Sequence, residues 1–364
     1  MRSGSVSAPF PWFGGKRKVA PEVWARFGAV ENYVEPFFGS GAVLLGRPAP
    51  FSGNETINDA DGLVSNFWRA VQADPESTAH HADHPVNEND LHARHAWLVG
   101  ELETLRARLE GDPSFYDAKI AGWWVWGVSC WIGSGFCSGR GPWRVVNRQL
   151  VHLGSNGQGV NRQLVHLGTN GQGVNRKRVH LGDNGQGVNR QLVHLGNNGR
   201  GVNRKLVHLG DNGRGESLAA WFAALSTRLR GVRIASGDWS RVCGPSVTHK
   251  HGLTGVLLDP PYADTASRTS DLYRVDCERI AHDVRAWAIA NGERDDMRIA
   301  LCGYDGEHEM PASWSVYEWN AGEGFGGQAD ERSGNGRRER IWFSPACVDD
   351  QPSLFGSEPL EMNA

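Results

Sequence analysis

Short apolar runs bounded by turn residues alternate with amphipathic stretches at both ends of the chain, while the middle follows a different rule. Near the N-terminus, "ENYVEPF" and "ETIND" read as strands, and "RKVAPEVWARFG" and "GLVSNFWRAVQAD" carry apolar residues at helical spacing. Between them, "GSGAVLLGR" reads as a glycine turn feeding a helix. From Asp74 the pattern becomes polar and histidine-rich, and "ENDLHARHAWLVGELETLRARLEG" then predicts a long helix. After residue 216 the alternation resumes with helix "ESLAAWFAALSTRLRG", strands "VRIASGD" and "GVLLD", and helix "VDCERIAHDVRAWAIANG". Strand "MRIALCG" and the segments "WSVYEW" and "RERIWFS" follow. This order predicts an α/β fold whose largely parallel sheet is covered by helices on both faces.

The middle of the chain interrupts that fold. A tryptophan-dense segment, "AGWWVWGVSCWIGSGFCSGRGPW", precedes five copies of a 14-residue unit over residues 146–215, of the form "VNRQLVHLGSNGQG". Trp123, Trp124 and Trp131 fit one helical face, as core packing requires. In the repeat, Asn-Gly favours tight turns, so one strand per unit gives an antiparallel meander and two give a small solenoid. The pattern therefore predicts one discontinuous domain, residues 1–75 and 217–347, and an insertion over 76–216. That insertion is helical and tryptophan-rich over 88–145 and repetitive over 146–215; residues 348–364 read as a disordered tail.

Composition adds a contrast. The 364 residues carry a net charge of −3, yet 146–215 hold ten Lys and Arg against two Asp. A basic segment on an acidic body suits a polyanion such as nucleic acid. Arg148, Arg162, Arg176, Arg190 and Arg204 recur once per unit, spaced to line one edge and follow phosphates, although near-identical copies fit passive duplication equally well. Arg140 and Arg144, beside glycine-rich backbone, are further DNA-contact candidates. The five repeat histidines lack an accompanying Cys/Asp pattern, so no metal is expected. Six cysteines without a CxxC pair, no signal-peptide core and no apolar run of spanning length predict a cytoplasmic protein with reduced thiols.

Three motifs carry candidate chemistry. In "VEPFFGSGAVLL" a strand runs into Gly39 and Gly41, which lets a ligand approach the backbone where α/β sheets bind ligands. The third glycine of the dinucleotide fingerprint is missing, which weakens a nicotinamide reading. Asp59 ends the next strand, where an acid accepts hydrogen bonds from ribose hydroxyls. "GVLLDPPY" ends a strand on Asp259, with Pro260 and Pro261 giving up their N–H groups and Tyr262 offering a flat face. The Asp259 carboxylate and the Pro260 carbonyl suit the two hydrogens of an amine on a planar ring, while Tyr262 stacks on that ring. Such a grip makes the amine a better nucleophile toward an activated methyl. It serves the exocyclic amines of adenine and cytosine equally.

The order "PWFGGK", "EPFFGSGAVLL", "TIND", long insertion, "DPPY" resembles the Dam-like DNA adenine methylases of phages and bacteria, over roughly residues 9–72 and 232–343. The resemblance implies a Rossmann-like methyltransferase sheet, S-adenosylmethionine as cofactor, double-stranded DNA as partner, and a target adenine flipped out of the duplex. It places Trp12, Lys16, Asp59 and Asp259 at the cofactor or its methyl, and Phe37, Gly39 and Gly41 around its pocket. Asp238, in "SGDW", becomes an acceptor for the cofactor's adenine amine. Asp259, Pro260 and Tyr262 hold the target base, and the insertion carries target recognition. In the tail, Gln351, Leu354 and Phe355 resemble the short peptide with which bacterial DNA enzymes dock on the replication sliding clamp. A non-catalytic DNA-binding protein on a methylase scaffold is the alternative from another class; an intact "DPPY" and "FGSG" oppose it.

Overall fold

The computed structural model describes residues 6–10, 12, 16–131, 136–137, 218–261, 279–319 and 339–348 with side chains, and the backbone of 143–146 and 149–152. Strands β1 (Asn32–Glu35), β2 (Asn54–Asp59), β5 (Val232–Ser236), β6 (Thr254–Leu258), β7 (Met297–Tyr304), β8 (Ser315–Glu318) and β9 (Glu339–Phe343) make one seven-stranded sheet. Its order is β5-β2-β1-β6-β7-β9-β8, parallel from β5 to β7, with β9 antiparallel to both β7 and β8. From β1 the chain builds outward to β2 and β5 on one side, and from β6 to β7 on the other. The sheet order therefore reverses between β1 and β6, and the crevice beyond their carboxyl ends is where such sheets place a ligand.

Side chains alternate between two cores. Tyr33, Leu257, Ala300 and Cys302 face one, with helix α1 (Ala20–Phe27) and α3 (Gly62–Ala73); Val34, Val256, Leu258, Ile299 and Leu301 face the other, with α8 (Ile280–Gly292). Both faces are covered, so β6 is buried along its whole length and reads as a continuous apolar run. Cys243, Cys302 and Cys347 are buried thiols. Among the described residues no helix is long and apolar enough to cross a membrane.

Among the described residues the predicted elements recur with two differences. Where the pattern suggests a polar connector after Asp74, the chain forms helix α4 (Pro75–Ala82). Asp74 caps it by accepting from the Ser77 N–H at 3.1 Å, Pro75 opens it, and His80 and His81 close it. Helix α5 (Glu88–Gly111) matches the predicted long helix. The second difference lies in α6 (Ala118–Cys130): Trp124 and Trp126 are its fully buried indoles, while Trp123 and Trp131 are half-buried. The reason is its place in the helical layer. It packs against α3, α4 and α5 at once, so it is apolar nearly all round rather than on one stripe. Trp126 donates its indole N–H to the His84 carbonyl at 2.8 Å. Trp131 lies beyond the helix end and stacks on His95, 8° from parallel.

Helix α7 (Leu218–Leu229) returns the chain to the sheet, against α3 and α4. Before it, β3 (Trp143–Val146) and β4 (Gln149–His152) form an antiparallel ladder that pairs Val146 with Gln149 and lies against α5. Among the described residues of the first repeat unit, Gln149–His152 form a strand and Val146 ends the one before it. Its Asn-Gly dipeptide, the other four copies, Arg140, and Arg148 with its four counterparts lie outside the described residues, as does the tail with Gln351, Leu354 and Phe355.

Candidate active site

The crevice floor is tied together by one side chain. Asn58, buried near the end of β2, donates to the Pro36 carbonyl at 3.1 Å and to the Gly237 carbonyl at 3.0 Å, joining the segments after β1 and β5. The segment after β1 then turns through Gly39 and Gly41, both in the left-handed region (φ +48° and +64°). Gly39 is held from both ends: its N–H donates to Asp59 Oδ2 at 2.8 Å, and its carbonyl accepts from the Trp68 indole at 2.8 Å. A Cβ at Gly39 would stand 2.3 Å from Trp12 Nε1, so Trp12 lies directly on the turn. Behind it, Trp12 packs on Phe10 and Trp124.

Asp59 accepts a second backbone N–H, that of Asp61, on Oδ1 at 2.8 Å. Burial among these segments pushes its carboxyl up to about 7, against the pull of the two N–H donors. Each carboxylate oxygen offers a further lone pair beyond the one it uses here.

Phe37 and Trp239 face one another across the crevice, from the segments after β1 and β5. Their centroids are 6.3 Å apart and their planes 26° from parallel. A planar ring inserted between them needs about 7 Å, two carbon contact layers of about 3.5 Å each. Their centroid spacing is less than that, so a ring enters only if the pair parts. Trp287 of α8 braces Trp239 edge-on. Beside it, the exposed Asp238 caps the following short helical turn, its Oδ1 accepting from the Ser240 N–H and hydroxyl.

Asp259 stands at the carboxyl end of β6, with Pro260 buried behind it; Tyr262 lies outside the described residues. The Lys16 ammonium is 3.0 Å from Asp259 Oδ1 and 3.7 Å from Glu339 Oε2, with Lys16 and Glu339 buried and Asp259 22% exposed. Glu35, at the end of β1, is buried and accepts from the Tyr33 hydroxyl at 2.8 Å. Burial lifts its carboxyl well above the usual range, opposed by that hydrogen bond; Asp259 raises it further and the Leu44 backbone lowers it. Glu35 thus joins β1 to helix α2 (Ala42–Leu45), which follows the glycine turn.

Residues 12–98 match the family model for D12 class N6 adenine-specific DNA methyltransferase. Over that segment the chain is similar to the D12-class DNA methyltransferases. The match supports an adenine-specific DNA methyltransferase, and with it the choice between adenine and cytosine, open on the amine grip alone, falls to adenine. No curated protein matches the chain. The matched segment of the methyltransferase holds Trp12, Lys16, Phe37, Gly39, Gly41 and Asp59; Asp238 and Asp259 reach the same crevice from β5 and β6. Three residues of the crevice have no counterpart in the motif reading: Trp239, Glu35 and Glu339. Trp239 is the last letter of "SGDW" and Glu35 the first of "EPFF", so adjacency to a motif is the signal for those two. Glu339 has none. Of the candidate DNA contacts, Arg144 is placed on β3 by its backbone.

Proposed function

We propose that the enzyme methylates the exocyclic amine of an adenine extruded from double-stranded DNA, with S-adenosylmethionine as donor. When bound, that cofactor supplies an activated methyl group on a sulfonium. Phe37 and Trp239 flank its purine, Asp238 accepts from the purine's amine, Asp59 accepts from the ribose hydroxyls, and Lys16 and Trp12 stand at its amino-acid end. Asp259 and the Pro260 carbonyl take the two hydrogens of the target amine, and Tyr262 stacks on the target ring. Drawing those hydrogens localises the nitrogen lone pair, and positioning supplies much of the rate. Asp259 Oδ is also the acceptor nearest the proton that the nitrogen gives up. Unstacking the base costs a few kcal/mol, to be offset by contacts with the flipped base and the surrounding DNA. The insertion over 76–216 carries target recognition, its repeat arginines following phosphates. The observation that carries this reading is the meeting of Asp259, the glycine turn and the Phe37–Trp239 pair at one crevice, where the sheet order reverses.

The direct test incubates the protein with DNA and methyl-labelled donor, then digests the DNA to nucleosides. Label in N6-methyladenine is expected; label elsewhere, or none, overturns the proposal. Two binding results accompany it. Trp239→Ala removes one wall of the purine slot, and loss of one stacking face is worth about 1–3 kcal/mol, so donor affinity falls about tenfold or more by equilibrium dialysis. Donor affinity also depends on pH through Asp59. Its carboxyl, at about 7, holds a proton in the free protein that the hydroxyl-accepting form must lose. Binding therefore tightens as pH rises from 6 to 8 and releases a proton, and Asp59→Asn flattens this dependence as it weakens binding. Calorimetry in buffers of differing ionisation enthalpy reads the proton directly; a pH-independent wild type would contradict the role.

A further inference from the structure

We infer that Glu339 is a positioning residue for methyl transfer: by sharing the Lys16 ammonium, it leaves Asp259 the charge with which to draw on the target amine. The inference rests on the proposed role of Asp259.

Three charges meet in a largely dry place. Lys16 opens a short helical turn over 16–18, Asp259 follows β6, and Glu339 opens β9, paired in register with Tyr304 of β7. Only 4% of the Lys16 side chain and 7% of that of Glu339 are exposed. The ring of Trp319 lies 5.9 Å from the same ammonium, within cation–π range. Beneath them the Cys302 thiol is pushed up, by burial first and then by the charge of Asp259, with Glu339 adding and Lys16 opposing. All three ions therefore act on one point of β7.

An ammonium paired with one carboxylate in such surroundings makes a nearly neutral unit. An Asp259 so engaged would be a blunted acceptor, because charge-assisted hydrogen bonds owe their strength to the ion's net charge. The second carboxylate divides the ammonium's three donors and brings the group to a net charge of −1. The target nitrogen becomes positive as it bonds to the methyl carbon, and a fixed negative group facing it favours that change. Stability alone does not account for the second carboxylate. The Lys16–Asp259 pair already balances the ammonium's charge, and burying one more charge carries a desolvation cost of its own.

The test compares Glu339→Gln and Glu339→Asp with wild type in single-turnover methyl transfer, together with donor Kd, DNA KM and thermal midpoint. Glu339→Gln keeps the Lys16–Asp259 pair, so the fold is expected to hold. Its single-turnover rate should drop about tenfold or more, with donor Kd and DNA KM within about twofold of wild type. Glu339→Asp, which retains the charge, should stay within about threefold. A wild-type rate in Glu339→Gln overturns the inference, as does a loss confined to Kd or KM. If the Gln variant fails to fold, Glu339→Asp decides: a tenfold loss there overturns it. Asp259→Asn separates the two readings. Full activity in that variant defeats the role of Asp259 itself. An inactive Asp259→Asn beside a fully active Glu339→Gln defeats only the role of Glu339.

Discussion

Asp259→Asn is expected to lower methyl transfer by about 10³-fold or more while the protein stays folded and still binds DNA. The substitution changes few atoms. It removes the charge proposed to accept from the target amine and puts an NH₂ group among donors, so the amide turns toward Lys16 or toward the base and satisfies neither fully. Losing a preorganised charged partner at the reacting atom costs factors of this size in other enzymes. Folding survives because the ammonium left behind is not stranded. Glu339 lies 3.7 Å from it and pairs with it, avoiding the large penalty of a buried unpaired charge. Circular dichroism, a thermal midpoint near wild type and retained DNA binding in a mobility-shift assay separate lost chemistry from lost structure. Activity within tenfold of wild type would refute the assignment.

Gly39→Ala is the second large effect. At φ +48° a side-chain-bearing residue is strained by roughly 1–2 kcal/mol. The new methyl would also lie 2.3 Å from Trp12 Nε1 and 2.6 Å from its Cδ1, so the indole or the turn has to shift. If the turn shifts, the Gly39 N–H leaves Asp59 and its carbonyl leaves Trp68, opening the cradle. If Trp12 shifts, its packing on Phe10 and Trp124 is disrupted. Either way donor affinity is expected to fall more than tenfold and the thermal midpoint to drop by several degrees. Gly244→Ala is the control, with nothing within 4 Å of its added methyl and no loss of donor binding expected. Equal behaviour of the two variants would show that the turn tolerates a side chain.

What could be read from the sequence was what is local in sequence. The strand ending in Asp259 and the turn at Gly39 each declare themselves within a dozen residues, because burial on both faces demands an apolar run and a positive φ favours glycine. Helix α4 was hidden: eight residues, mostly polar, give no periodic signal, and only the Asp74-Pro75 start betrays it. Trp126 was missed for the opposite reason, since a helix packed on several sides has no single apolar stripe to detect. The Phe37–Trp239 pair joins residues two hundred positions apart, and no spacing rule predicts which aromatic will face which. Glu339 is an ordinary acid in "RERIWFS" until β9 inserts antiparallel between β7 and β8 and Lys16 turns in to meet it. The amine grip specified a chemical group on a ring, and the base itself came from the family match.

The placement of α6 and α7, which bracket the tandem copies in sequence, carries a consequence for how this enzyme can change over generations. Both pack on α3 and α4, so the chain leaves the helical layer near the place where it returns. Everything between them, the tandem copies included, hangs from a closed gate. Closing a longer or shorter loop at that gate alters the free energy only logarithmically, by about 0.6 kcal/mol per doubling. Unequal recombination among near-identical copies can therefore lengthen or trim the array at little thermodynamic cost, leaving the registers that set Asp59 and Asp259 untouched. The catalytic half is insulated from copy number, and selection can tune the array's reach on its own.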